Sequence, residues 1–134
     1  MNAPHELARL RFDAEAISAA RAAAAASQRQ VVTCLEEGSG LDAEAFAARL
    51  AATFALPLAT MADLHRWQPA FDVLPFGECS RRQCLLFRDE AEALRLVTGD
   101  PFDANRFAWA DARIAAPFAW HIAHPADVAA YLAR

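Results

Sequence analysis

The clearest pattern of apolar and polar positions lies in the first half of the chain and predicts helices. Asp13-Ala14-Glu15-Ala16-Ile17 recurs as Asp42-Ala43-Glu44-Ala45-Phe46, and each copy opens an alanine-rich stretch. Each copy begins with an aspartate suited to cap a helix and carries an acid in the first turn, where the helix dipole favours it. We predict helices over 13–26 and 42–54, with a short third helix at 31–35 that ends at Gly38. The match indicates either two degenerate repeats or simply a small helical bundle.

The second half alternates apolar runs with turn signals and predicts a mixture of strands and helices. A polar stretch at 88–92 separates two apolar runs, which is typical of an antiparallel hairpin, and Asp103 is placed to cap a helix. In chain order we predict a strand at 56–60, a helical turn from Leu74-Pro75-Phe76 to Arg82, hairpin strands at 83–87 and 93–97, a helix from 103 to about 111, a strand at 118–122 and a helix at 126–132.

These elements predict an α+β fold in two parts that form one module. Proline use changes at Pro57: before it the chain has only Pro4, and afterwards prolines recur. We place a helical subdomain of about three short helices at 1–54. We expect it to pack on an α+β subdomain at 55–134, with a three- to four-stranded sheet and two or three helices.

Composition excludes several classes of function. The net charge of the 134 residues is −4, which argues against sequence-independent binding to nucleic acid. The chain has no lysine, so it cannot supply the lysine of a phosphate-binding Walker loop or of a Schiff base. No apolar run has the roughly 20 residues that cross a bilayer, and Met1–Glu6 is no secretory signal, so we expect a cytoplasmic protein. The odd number of cysteines fits a reducing compartment.

An ordered set of short motifs resembles the N-terminal domain of the type II secretion and type IV pilus assembly ATPases. In this family a helix ends in a Gly-Leu-Pro segment. The next helix starts with Leu/Ile-Pro and is followed by a basic pair and an apolar strand. A second strand is followed by Asp-Pro-Leu-Asp, and the last helix begins after a proline. The corresponding segments here are Ala55-Leu56-Pro57, Leu74-Pro75, Arg81-Arg82 with 83–87, Asp100-Pro101-Phe102-Asp103, and His124-Pro125-Ala126-Asp127-Val128. The resemblance covers residues 12–134.

The resemblance implies a non-catalytic adaptor. Such domains precede a hexameric ATPase motor and dock it onto the cytoplasmic domain of an inner-membrane platform protein. We therefore expect a fragment of a longer ATPase, held at the inner membrane through a protein partner, with no cofactor of its own. The family module also occurs in some bacterial glycosyltransferases, so a regulatory domain of such an enzyme is an alternative.

A second alternative is a cyclic di-GMP sensor on the same scaffold. The family members that bind this nucleotide carry an Arg-Leu-Gly start with a glycine about nine residues later, present twice. Arg29 and Gly38 keep that spacing, but Gln30 and Val31 stand where Leu-Gly belongs. Because close backbone approach to a nucleotide needs those glycines, their absence weakens this alternative.

Candidate partner-binding residues are aromatic and basic. We predict that Trp109 lies off the apolar face of its helix and is exposed together with Arg106, a pairing common in protein interfaces. Trp67 either belongs to the same surface or clamps the two subdomains. Arg21 belongs to a sparse basic set with Arg9, Arg11 and Arg29 that meets a partner or is simply solvated.

Metal binding and catalysis have weak support in the sequence. His121 and His124 have a His-x-x-His spacing, and a zinc site would need two further ligands. Cys79 and Cys84 are the available cysteines, but their spacing makes the set of four irregular for zinc. Cys84 lies in a predicted strand, followed by two leucines, and is expected to be core. We predict no metal and no catalytic residue.

Overall fold

The computed structural model describes residues 11–133 and divides the chain into two compact units, the first ending at Leu56 and the second beginning at Pro57. The prediction places this boundary two residues earlier, between 54 and 55. Together the described residues form seven helices and a four-stranded mixed sheet, so the predicted α+β class is confirmed.

The first unit contains the helices α1 (Ala14–Ser27), α2 (Val31–Ser39) and α3 (Ala43–Thr53). Asp13 and Asp42 cap α1 and α3 as predicted, since each carboxylate accepts a 2.8 Å hydrogen bond from the backbone three residues on. The apolar faces of the helices supply a small core in which Val32, Leu35, Phe46 and Leu50 are buried. α2 continues through Gly38, where the prediction ends it, and stops at Gly40, which takes the left-handed conformation that glycine tolerates.

The second unit alternates helices and strands. Its elements are α4 (Met61–Arg66), β1 (Gln68–Pro69), α5 (Phe76–Arg82), β2 (Cys84–Arg88), β3 (Leu94–Thr98), α6 (Ala104–Arg113), β4 (Phe118–Ile122) and α7 (Pro125–Leu132). The hairpin, α5, α6, β4 and α7 all lie within about a residue or two of their predicted positions.

The start of this unit differs from the prediction. The expected strand at 56–60 is reduced to a single bridge from Leu58 to Ile122, and the first strand of the sheet is β1. Between the two lies α4, which the sequence analysis missed. Its start is a capping box: Thr60 accepts from the Asp63 backbone, and the Asp63 carboxylate accepts from the Thr60 backbone.

The sheet has the order β1-β2-β3-β4, antiparallel except for the parallel β3–β4 pair. Because side chains alternate along each strand, Phe87, Arg95 and His121 share one face, with Cys84, Leu96 and Trp120 on the other. Ring contacts place α7 on the first face through Tyr131 and Phe87, and α6 on the second through Phe107 and Trp120. The sheet core is therefore covered on both faces.

Candidate partner-binding surface

Helices α5 and α6 lie side by side, and two arginines of α6 tie them together at both ends. At one end, Arg113 donates two hydrogen bonds of 2.8 and 2.9 Å to the Glu78 carboxylate. The Arg113 guanidinium lowers the pKa of Glu78 below its usual value. The bidentate geometry fixes the relative orientation of the two helices at this end.

At the other end, Arg106 donates its hydrogen bonds to the backbone, and the carboxylates of Asp100 and Asp103 lie 3.9 and 3.8 Å from its guanidinium. Its guanidinium donates to the carbonyl oxygens of Arg82 and Asp100, each at 2.8 Å, and its side chain is only 10% exposed. The last turn of α5 leaves such carbonyls without helical partners, so Arg106 satisfies an acceptor that would otherwise need water. The prediction that Arg106 is exposed beside Trp109 is therefore wrong: Arg106 positions this surface from beneath.

The exposed cation beside Trp109 is Arg82. Its guanidinium carbon lies 4.7 Å from the centre of the Trp109 ring, within cation–π distance, while Trp109 is half-buried and packs on the core. Arg81, the preceding residue, is also exposed. We call Arg81, Arg82 and Trp109 the α5–α6 surface.

Trp67, the second tryptophan of the predicted site, is buried in the second unit. Only 6% of it is accessible, and its ring lies against Phe87 and His121 at centroid distances of 6.0 and 5.4 Å. Arg95 completes this cluster by lying over the Trp67 ring at 5.2 Å. These contacts assign Trp67 to the core of the second unit.

The described basic residues of the helical front lie on different segments of the first unit. Arg21 is exposed on α1, Arg11 precedes that helix, and Arg9 lies outside the described residues. Arg29 forms a bidentate ion pair with Glu37, which raises the pKa of Arg29 and lowers that of Glu37. This pair joins the start and the end of α2.

Gly38, the second residue of the nucleotide alternative, lies in α2 with ordinary helical geometry. No atom comes within 4 Å of the place where a Cβ would stand, so an alanine fits there. Nearby is a cavity of about 130 Å³ lined by Gly38, Cys34, Phe12 and alanines of α1.

Within residues 11–133, no group of three or more His, Cys, Asp or Glu side chains is arranged to hold a metal ion. Cys79 and Cys84 are buried free thiols, and burial raises the pKa of Cys84 to about 12. A thiol with that pKa is not a nucleophile at neutral pH. In the same part of the chain, no helix is long and apolar enough to cross a membrane.

Sequence reasoning missed Arg82 and the ion pair from Arg113 to Glu78. In the sequence, Arg81-Arg82 contributed only to the family resemblance. Two adjacent arginines at the end of a predicted helix also indicate an exposed basic patch. The contact between Arg113 and Glu78 spans 35 residues and has no local signal.

Comparison with known proteins supports the fold. No protein-family model matches the chain, and no curated protein matches it either. Among solved structures, the structure of MshE with cdg superposes with a TM-score of 0.65 at 21% identity, covering 92% of this chain and 89% of that one. The chain thus shares nearly its whole fold with MshE.

Proposed function

We propose that this chain is a non-catalytic N-terminal domain of a secretion-type ATPase, which docks the motor onto the cytoplasmic domain of an inner-membrane platform protein. The observation that carries the proposal is the likeness to MshE, an ATPase of the type IV pilus and type II secretion family, over 92% of the chain. The ordered motifs from Ala55-Leu56-Pro57 to the start of α7 support the same assignment.

The α5–α6 surface supports a role in binding. Tryptophan and arginine are the residues that most often carry binding energy at protein interfaces. Here Trp109 and Arg82 are held on two helices that Arg106 and Arg113 lock together, so little ordering remains to be done on binding. The absence of lysine removes the usual phosphate-binding chemistry, so on this proposal ATP hydrolysis belongs to a separate motor domain.

The test is isothermal titration of this chain with the purified cytoplasmic domain of the platform protein from the same secretion system. We expect one-to-one binding with a dissociation constant on the order of micromolar. The matching domain from an unrelated secretion system is the control. If the cognate domain gives no more binding heat than the control domain at the same concentrations, the adaptor proposal is overturned.

Cyclic di-GMP binding remains the second candidate because MshE was solved with cdg. The geometry gives it less support. Arg29 is already engaged by Glu37, Gly38 has no steric need to be glycine, and the adjacent cavity of about 130 Å³ is small for a dinucleotide. Typical small-molecule sites occupy about 300–1,000 Å³.

A thermal-shift measurement separates the two candidates. Ligand at about a hundred times its dissociation constant stabilises a fold by roughly 2.7 kcal/mol, a shift of several degrees at this size. We expect no shift with cyclic di-GMP at about 100 µM, a concentration that saturates micromolar sites. A clear rise that Arg29→Ala removes would establish the sensor instead.

A further inference from the structure

We propose that the α5–α6 surface binds an acidic segment of a protein partner, with Arg81 and Arg82 as the cations that recognise its carboxylates. This inference rests on the proposed function, because it names the chemistry of the partner at that docking site. It commits to a protein segment that carries Asp or Glu next to an apolar side chain.

The first support is the contrast between these two arginines and the others of the second unit. Elsewhere in the described part of that unit, arginines form ion pairs with nearby carboxylates: Arg66, Arg88, Arg95, Arg106 and Arg113. Arg81 and Arg82 form none with any described residue. Both are exposed and adjacent, in a chain whose net charge is −4. The carboxylate that they influence, Glu78, is already bound by Arg113. Two exposed cations that form no ion pair with a described residue are well placed to attract a negatively charged ligand.

The second support is the apolar group between them and α6. Arg82 lies against the Trp109 ring, so a ligand that reaches the guanidinium also meets an indole. The last turn of α5 favours cations through the helix dipole, which explains why arginines are tolerated there. It does not explain why a half-buried tryptophan lies directly beneath one of them.

The third support is the rigidity of the backbone that carries the cations. The carbonyl oxygen of Arg82 accepts from Arg106, and α5 is held at its other end by the pair of Arg113 and Glu78. The positions of the two α-carbons are therefore fixed before a ligand arrives, which lowers the entropic cost of binding.

An anionic membrane is the competing ligand, and the charges around the surface disfavour it. Basic segments that bind anionic lipids usually contain about 4–8 Lys or Arg residues. Here there are two, and Asp103, which caps α6, and Asp111, which lies on it, would be repelled by such a membrane. A protein segment can place its carboxylates on the arginines and avoid these acids.

The experiment follows binding to two matched double variants of the full chain. R81Q/R82Q removes the proposed cations, and R66Q/R88Q removes the same charge elsewhere in the second unit, where both arginines are paired with carboxylates. The probes are a synthetic peptide that alternates Glu with Phe and Leu, a Lys version of the same peptide, vesicles with phosphatidylglycerol, and the platform domain described above. Circular dichroism and thermal melts confirm that both variants fold.

We expect the Glu peptide and the platform domain to bind wild type and R66Q/R88Q alike. They should bind R81Q/R82Q at least about tenfold more weakly, which corresponds to a loss of about 1.4 kcal/mol. The Lys peptide and the vesicles should not bind. Equal binding of the Glu peptide to wild type and R81Q/R82Q, no binding of it to wild type, or binding to vesicles that R81Q/R82Q abolishes would each overturn the inference. If the platform domain still binds wild type, the adaptor proposal survives that failure. If the platform domain is silent while the Glu peptide behaves as expected, the inference stands and the adaptor proposal fails.

Discussion

The Nη1 atom of Arg95 lies 2.7 Å from the Nε2 atom of His121, within the core of the second unit. A guanidinium only donates hydrogen bonds, so Nε2 must accept and the imidazole must be neutral with its proton on Nδ1. His121 is 4% exposed, and its Nδ1 has no hydrogen-bond partner among the described residues. Burial, together with the charge of Arg95, lowers the pKa of His121 below 6.5.

This contact predicts that acid destabilises the protein. His121 is neutral in the folded state at pH values where the unfolded chain already takes up a proton, so stability is complete above about pH 6.5 and falls as the pH drops below it. The charged groups around the ring are Arg95 on β3, Asp89 before that strand, and Asp63 and Arg66 on α4. Urea denaturation at pH values between about 7.5 and about 5.5, on both sides of about 6.5, measures how the free energy of unfolding changes with pH.

The matched variants are His121→Gln, whose amide can still accept from Arg95, and His65→Gln, which changes an exposed histidine of α4. The first should flatten the dependence of stability on pH over this range, and the second should leave it as in wild type. An unchanged slope in His121→Gln would show that the histidine does not carry the effect.

Ala55 occupies a backbone position that favours glycine. The end of α3 is a Schellman motif, in which the Ala55 and Leu56 backbones donate to the carbonyls of Ala52 and Ala51, and Ala55 has a φ of 55°. An L-residue in this conformation costs roughly 1–2 kcal/mol, partly offset in glycine by its greater freedom when unfolded. Ala55→Gly should therefore stabilise the fold by up to about 1 kcal/mol.

The control is Ala48→Gly, on the exposed side of α3, which should destabilise by about 0.5–1 kcal/mol. Chemical denaturation of the two variants beside wild type measures both effects. If Ala55→Gly destabilises as much as Ala48→Gly, the left-handed position is not strained.

Arg106 should contribute to stability more than any exposed arginine of the α5–α6 surface. Truncation in Arg106→Ala leaves two backbone carbonyls without their charged donor, and hydrogen bonds to charged groups contribute about 1.5–3 kcal/mol. Arg82→Ala removes only an exposed ring contact and should cost less than about 1 kcal/mol. Equal losses in the two variants, by urea denaturation, would contradict the positioning role of Arg106.

The two tryptophans of the predicted site should separate cleanly on substitution. Trp67→Ala empties a core position and should cost about 3–5 kcal/mol. Trp109→Ala loses a half-buried ring and should cost less, while weakening partner binding. Stability by denaturation and affinity by titration, measured on both variants, check this. If Trp109→Ala binds the partner as well as wild type does, the Trp109 indole takes no part in binding.

Much of the fold could be predicted because its signals are local. Asp13 and Asp42 predict the starts of their helices, and the apolar runs on either side of the polar turn at 88–92 predict the hairpin. α4 also had a local signal, the Thr60 to Asp63 capping box. The segment Leu56-Pro57-Leu58 resembles the start of a strand, so the first strand was predicted at 56–60 instead of after α4.

The candidate surface could be predicted only in part because exposure depends on distant contacts. Helical spacing predicted that Trp109 lies off the core face and is exposed, but the side chain is half-buried and packs on the core. The same spacing could not tell Arg106 from Arg82. Arg106 is covered because it reaches carbonyls 24 and 6 residues away along the chain. Trp67 is buried by strands that follow it in the sequence, and no local pattern reports that.

The most direct test of the account uses the indole protons of the three tryptophans as reporters. Nitrogen-15 labelled chain is titrated with the cytoplasmic domain of the platform protein, and the Nε1 resonances of Trp67, Trp109 and Trp120 are followed. We predict that the Trp109 resonance shifts or broadens at substoichiometric partner, while those of Trp67 and Trp120 stay in place. Binding that leaves Trp109 unperturbed, or no binding at all, would contradict the account.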